Sequence, residues 1–327
     1  MRTHVFFGGK GGVGKTTVSS AYALKCARTG IDTLIVSTDP AHSISDVFDQ
    51  NFTDEPAAVE RVDNLDAMEI DPEAETERHL METKRALSDQ VSPAMVNEVD
   101  RQIEMAHQTP GAYEAALMDR FIDVMRNSNE YDRIVFDTSP TGGTLRLLSL
   151  PDMLEGWIDR LVYKREQSID LYERAAIGNE EPRRIMDGDP ILDRLTTRKE
   201  RFEFAGETLR TNAAFFLVAN PDELSIRETQ RAIDELQSYD LEVRGLAVNR
   251  LTPEPDPNEN GRGARFLRDR VATERERLNE LHENIDPPVV AEIQTRVSEV
   301  KGTILDTVAE ELAIDVDQVS PDTVSSG

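Results

Sequence analysis

Residues 1–17 read MRTHVFFGGKGGVGKTT, and their order of apolar run, glycine-rich loop and helix-forming run decides the fold of the chain. Val5-Phe6-Phe7 is short and bounded by glycine, which predicts a buried strand that stops at Gly8. Gly9-Lys10-Gly11-Gly12-Val13-Gly14-Lys15-Thr16 then fits the phosphate-binding spacing G-x-x-x-x-G-K-[ST]. The chemistry asks for those residue types: glycines let backbone N–H groups converge on phosphate, Lys15 reaches the β- and γ-phosphates, and the Thr16 hydroxyl holds Mg²⁺. From Thr17 the run TVSSAYALKCAR has helical composition, so a positive helix end meets the nucleotide charge. Lys10 occupies a position that the pattern leaves free. Two readings stand for it, a solvated loop lysine or a cation reaching the phosphates held by an opposing subunit.

The chain of 327 residues suits one large α/β domain or two small ones, with a sizeable core in either case. Neither a leader pattern nor eighteen consecutive apolar residues occur, so a soluble, cytoplasmic protein is expected. The net charge of −26 repels nucleic acid and anionic lipid, which disfavours either as a main partner. Only seven of the 37 basic residues are lysine, and two of those sit in the phosphate loop. Acid excess with scarce lysine points to adaptation to high salt, and refolding that succeeds equally well with and without molar salt would contradict it. Cys26 stands alone, which removes an intramolecular disulfide, a paired-cysteine zinc site and an iron–sulfur cluster within one chain. Its place in the first helix makes it a small buried apolar side chain.

Thr33 to Ser37 reads as a second buried strand, delivering Thr38-Asp39-Pro40-Ala41-His42-Ser43 to the strand ends where doubly wound sheets bind ligands. Asp39 is the candidate to orient an attacking water, although Asp39-Pro40 alone is also an ordinary turn. Leu65 to Ile70 alternates like a third strand, residues 73–108 are charged and helix-prone, and Ala112 to Arg126 resumes a helix after Pro110-Gly111. Arg133-Ile134-Val135-Phe136-Asp137 is an apolar strand ending in an aspartate suited to support Mg²⁺, and the small residues Thr138 to Thr144 can change conformation with the γ-phosphate. Residues 151–210 show no strand pattern and, with 73–108, read as a helical lid standing on the sheet. The sheet resumes at Ala213 to Val218, followed by a helix from Ser225 to Tyr239. A strand from Val243 to Val248 ends in Asn249, placed either to read an adenine edge or to make a turn. A charged helix from Arg262 to Glu283, a short strand at Pro287 to Ala291 and a helix from Val297 to Leu312 close the domain. Residues 313–327 read as an acidic, frayed tail. The expected architecture is a single α/β domain over 1–312, with a doubly wound, mostly parallel sheet. No internal repeat occurs, so one nucleotide site per chain is expected.

Together these motifs resemble the ArsA family of P-loop ATPases, of the deviant-Walker-A type, which includes arsenite-pump ATPases and the factor that carries tail-anchored proteins to membranes. GGKGGVGKTT is similar to the family's phosphate loop, STDPAHSISD (37–46) to switch I, and DTSPTGGTLRLLSLP (137–151) to switch II; NLDAMEIDP (64–72), PGAYEA (110–115) and AVNR (247–250) are similar too. The resemblance implies a homodimer with two ATP sites facing each other, in which Lys10 contacts the partner's nucleotide. It implies that Gly9 to Thr17 hold the phosphates, Asp39 positions water, Thr16, Ser43 and Asp137 support Mg²⁺, and Asn249 contacts adenine. Pro40, Ala41 and His42, and Thr138, Pro140, Thr141, Gly142 and Gly143, become the moving switch residues. ATP would close the dimer and align the helical lids into an apolar groove, and hydrolysis would open it.

Three departures bear on function. Gly143 stands where the family usually has histidine, Asn260-Gly261-Arg262-Gly263 stands where many of the targeting factors have a zinc-binding Cys-x-x-Cys, so no zinc is expected, and the insertion is charged and poor in methionine. Two readings result: a carrier of hydrophobic membrane-protein segments working with a membrane receptor, or the energising subunit of an arsenite pump. The single cysteine weighs against the pump, because trivalent arsenic seeks several thiolates. A positioning ATPase of the MinD type would want a basic amphipathic end, and the terminal residues are acidic.

Overall fold

The computed structural model describes residues 3–38, 43–71, 73–78, 81, 112–138, 159–164, 167 and 190–316. Runs of β-branched and aromatic residues between turn residues form its strands, because a strand buried on both faces reads as nearly continuous apolar sequence. In chain order the elements are β1 (Thr3–Gly9), α1 (Lys15–Arg28), β2 (Thr33–Ser37), α2 (Ser43–Phe48), β3 (Ala57–Ala58) and β4 (Leu65–Glu69). They continue with α3 (Ala112–Asn127), β5 (Arg133–Asp137), α4 (Pro190–Thr211), β6 (Ala213–Ala219) and α5 (Glu223–Ser238). The last are β7 (Val243–Leu251), α6 (Arg262–Asn284), β8 (Val289–Gln294) and α7 (Thr303–Glu311).

These strands form one eight-stranded sheet in the order β3-β4-β2-β5-β1-β6-β7-β8, parallel except for the β3–β4 pair. This is the doubly wound α/β arrangement expected, with β1 at its centre. Side chains alternate between two cores. On one face Phe6, Phe136 and Phe215 stack, with ring centroids 4.5 and 5.1 Å from Phe6, and Phe121 of α3 meets Phe136 edge-on at 5.0 Å. On the other face Phe7, Ile35 and Val135 pack with Val18 and Tyr22 of α1, Ile44 and Val47 of α2, and Leu305 and Val308 of α7.

Several boundaries differ from the sequence expectation. β1 runs through Gly8 to Gly9 because both stay in register with Leu217 and Val218 of β6, and α1 begins at Lys15 rather than Thr17. β3 carries no signal, since its two alanines are exposed. In α4, Phe202, Ala205 and Leu209 are buried in the sheet's own core, so the last turns of the 151–210 stretch belong to the sheet layer rather than to a lid. The closing helix starts at Thr303, with Val297 fully exposed. Residues 313–316 are not frayed. The Ala313 amide donates to the Val290 carbonyl at 2.8 Å, and Ile314 and Val316 are buried. Residues 317–327, Trp157 and most of 79–111 and 151–189 lie outside the described residues.

Candidate nucleotide site

The chain passes from β1 to β2 on one side and returns to lay β5 between them, while β6 continues on the other side. Ligands of doubly wound sheets bind at such a reversal, outside the carboxyl ends of the strands. Here the carboxyl end of β1 is Gly9 and the loop behind it. Gly9 has φ +146°, and a Cβ there would lie 2.3 Å from the Val218 carbonyl oxygen. Gly14, the residue before α1, has φ +93° and ψ 33° and makes no side-chain cap, so the first-turn N–H groups of α1 face the loop. The first turn of α1 carries no acidic residue. Val13 anchors the loop in the core, while Gly11 and Gly12 are exposed. Thr16 and Thr17 are half-buried in the first turn, and the Ser19 hydroxyl donates to the Thr16 carbonyl at 3.1 Å.

Lys15 is buried, and its Nζ donates to the Lys10 carbonyl at 3.3 Å, curling the loop around the ammonium. Lys10 itself points away toward α5, with Nζ 3.7 Å from Glu228 Oε2 and both side chains one-third exposed. Asn249, within β7, is 7 % exposed. Its Nδ2 donates to the Val13 carbonyl at 2.8 Å, and its Oδ1 accepts from the Arg250 amide at 2.8 Å. The structure thus places Asn249 against the phosphate loop, with both ends of its amide engaged by the chain.

Register brings the second half of the site together. Phe7 pairs with Asp137, Asp137 with Ser37, and Ser37 with Glu69, one row across β1, β5, β2 and β4. Alternation turns Asp137, Ser37 and Glu69 toward the face of α1, because Val135, Ile35 and Ala67, two residues earlier, pack there. The Ser37 hydroxyl donates to Asp137 Oδ2 at 3.5 Å, and the Thr138 hydroxyl donates to the Phe7 carbonyl at 2.8 Å. Ser37 and Glu69 were not singled out from sequence. The signal for both was a polar residue ending an apolar strand.

Of the candidates read from the sequence, the structure gathers Gly9 to Thr17, Asp137, Thr138 and Asn249 at one end of the sheet. Asp39, Pro40, Ala41, His42, Pro140, Thr141, Gly142 and Gly143 lie outside the described residues, and of Ser43 only its position at the start of α2 is described. Thr16, Ser37 and Asp137 supply hydroxyl and carboxylate oxygens, the hard donors Mg²⁺ takes together with phosphate oxygens and water. Among the described residues there is no group of three or more His, Cys, Asp or Glu that could hold a metal by itself. A Mg²⁺ shared with a triphosphate does not need one.

Away from the site, Cys26 is fully buried, and the Arg133 guanidinium donates to the Tyr22 hydroxyl at 2.7 Å and reaches Cys26 Sγ at 3.7 Å. Burial pushes the Cys26 thiol above its usual range, with Arg133 pulling the other way, and burial likewise raises the Tyr22 phenol. Among the described residues no helix is long and apolar enough to cross a membrane.

Comparison with known proteins places the chain among similar sequences. The pattern of the anion-transporting ATPase family matches residues 2–313. A protein of Aquifex aeolicus assigned to the arsenical pump-driving ATPases is 34 % identical over 277 residues, covering 84 % of this chain and 87 % of that one. The ATPase ASNA1 homolog 2 of Paramecium tetraurelia is 34 % identical over 254 residues, 76 % of this chain and 75 % of that one. The ATPase GET3A of Arabidopsis thaliana is 32 % identical over 303 residues, 91 % of this chain and 80 % of that one. With the glycine-rich loop, the buried lysine and the strand-end aspartate in place, the chain belongs to the ArsA family of anion-transporting ATPases and is an ATP-hydrolysing enzyme.

Proposed function

We propose that this ATPase is a homodimeric molecular switch that captures hydrophobic, tail-anchored membrane-protein segments and delivers them to a membrane receptor. The observation that carries the choice is the state of Cys26. An arsenite pump's ATPase would need soft ligands for its effector, and this sequence offers one thiol, sealed in the core beside Arg133. Chain length does not help to choose, because the Aquifex relative assigned to arsenical pumps is covered over 87 % of its length. The names ASNA1 and GET3A among the relatives favour the carrier reading.

The roles proposed for the residues are these. Backbone N–H groups of Gly9 to Gly14 and the first turn of α1 bind the phosphates, and buried Lys15 neutralises charge at the β- and γ-phosphates. Thr16, Asp137 and, in switch I, Ser43 would hold Mg²⁺ directly or through water. Held there, Mg²⁺ would supply Lewis-acid neutralisation of the triphosphate's negative charge. Asp39 orients the attacking water. Lys10 leaves Glu228 and reaches the nucleotide of the second subunit, so the ATP-bound dimer is closed. Thr138 and residues 140–143 transmit the state of the γ-phosphate to a helical subdomain built from about 73–108 and the part of 151–210 preceding the sheet-packed turns of α4. The protein works in the cytoplasm, at high salt, and meets the membrane through its receptor.

The test is to isolate an Asp39→Asn variant, arrested before hydrolysis, from cells that express it and to identify what remains attached. Membrane proteins with one terminal apolar helix are the expected catch. A pump subunit instead, together with stimulation of ATP turnover by arsenite, would overturn the proposal in favour of the pump.

A further inference from the structure

We infer that Glu69 is a positioning residue for ATP hydrolysis, its carboxylate fixing the start of α2, which in sequence directly follows the 39–42 segment. The inference rests on that segment being the nucleotide-responsive switch proposed above. Glu69 ends β4, is 3 % exposed, and lies in register with Ser37, which is itself in register with Asp137. Its Oε1 accepts from the amides of Ile44 and Ser45 at 2.9 and 3.0 Å, and its Oε2 accepts from the Ser45 hydroxyl at 2.7 Å. The Ser45 hydroxyl oxygen accepts in turn from the Phe52 amide at 3.1 Å, and the Glu69 amide donates to the Thr53 carbonyl at 2.8 Å. Both carboxylate oxygens are therefore engaged by the first turn of α2.

A buried carboxylate is an expensive way to end a strand, and it persists where it satisfies donors that nothing else reaches. The donors here are the first N–H groups of α2, immediately after the four residues 39–42. The near end of that stretch is anchored independently. Thr38 is buried with its amide donating to the Asp137 carbonyl at 3.2 Å, while Ser37 bonds Asp137 through its hydroxyl and accepts the Ile70 amide on its carbonyl at 2.9 Å. Thr38, on the aspartate strand, and Ile44 with Ser45, on Glu69, are thus two fixed posts, and in sequence Asp39 falls between them. Reaction rates depend steeply on the placement of the water-orienting group, so loosening one post should cost turnover while leaving the phosphate loop, and nucleotide binding, in place.

The experiment compares Glu69→Ala, Glu69→Gln and Ser45→Ala in the full chain, measuring kcat, the Kd of a fluorescent ATP analogue and the thermal unfolding midpoint. For Glu69→Ala the expected result is a fall in kcat on the order of 10²-fold with Kd within about threefold of the parent. Glu69→Gln keeps an acceptor for the amides and should fall between the two. Unchanged kcat in folded Glu69→Ala overturns the inference, as does a Kd that worsens in step with kcat. Should Glu69→Ala not fold, Ser45→Ala, which removes one of the three bonds, must still lower kcat severalfold at constant Kd, and a kcat equal to the parent's would overturn the clamp. Asp39→Asn separates the switch from the clamp. Full turnover in Asp39→Asn would defeat the switch reading itself, whereas an inactive Asp39→Asn beside a fully active Glu69→Ala would defeat only the clamp.

Discussion

Replacing Gly14 by alanine should weaken ATP binding by an amount that the structure divides into two parts. The backbone at Gly14 has φ +93°, where an L-residue pays roughly 1–2 kcal/mol. The new Cβ would sit 2.2 Å from Asn249 Nδ2, so the amide must withdraw and abandon the Val13 carbonyl it now holds at 2.8 Å. Leaving that buried acceptor unpaired costs about 1–3 kcal/mol more. The sum, about 2–5 kcal/mol, corresponds to a loss of roughly 30-fold to 4,000-fold in affinity when the loop must regain this shape to bind phosphate. Asn249→Ala alone forfeits the same hydrogen bond and should lose the second part only. The double variant has no amide to displace, so it should bind about as poorly as Gly14→Ala, and the cycle should show a coupling of about 1–3 kcal/mol. Titration of each variant with a fluorescent ATP analogue measures all four corners. Losses that simply add, or a Gly14→Ala protein that binds like the parent, would refute the view that Asn249 braces the loop through Val13.

Two further outcomes follow from the cores. A chain ending after Leu312 loses the burial of Ile314 and Val316 and the carbonyl that accepts Arg133 Nη2 at 3.0 Å, so denaturant titration should find it less stable than a chain ending after Asp317 by about 3–6 kcal/mol; equal stability of the two would contradict the packed 313–316 segment. Because burial raises the Cys26 thiol and hides it, an aromatic disulfide reagent at mildly alkaline pH should react only as fast as the protein unfolds, and rapid labelling of the native chain would contradict the buried position.

What could be read from the residues was whatever local pattern decides. The buried parallel strands announce themselves as apolar runs, and the loop from Gly9 to Thr16 announces its chemistry through its spacing. β3 could not be read, because Ala57 and Ala58 pair with Ala67 and Asp66 through backbone alone. The 313–316 segment was misjudged for the opposite reason. Asp315 and Asp317 gave it an acidic look, yet Ile314 and Val316 alternate with them, and that period of two is the pattern of a chain lying on a core. Nothing local marks Arg133, the charged first residue of its strand, as interior; Tyr22, Cys26 and the Val316 carbonyl, brought in by tertiary packing, make it a buried hub. Asn249 was located at the site from its strand, but its partner, a carbonyl 236 positions earlier in the chain, is a product of the fold.

Strand register also explains why Asp137, Ser37 and Glu69 lie side by side at all. Adjacent strands lie about 4.8 Å apart, so three residues from distant parts of the chain become neighbours only if β5, β2 and β4 end at one level. Parallel pairing in the register Asp137 to Ser37 to Glu69 meets that condition. A slip of one residue in any of the three strands would turn its polar end into the aromatic core beside Phe136, Val36 or Met68, on the face away from α1. The hydrophobic alternation that buries Phe136 on one side and Val135 on the other is therefore also what turns Asp137 to the α1 face of the sheet. Core and site are specified by one pattern. Changing Phe136 to a polar residue would thus threaten register as well as packing, whereas the Glu69 and Ser45 variants leave the apolar alternation intact and act on the far post alone.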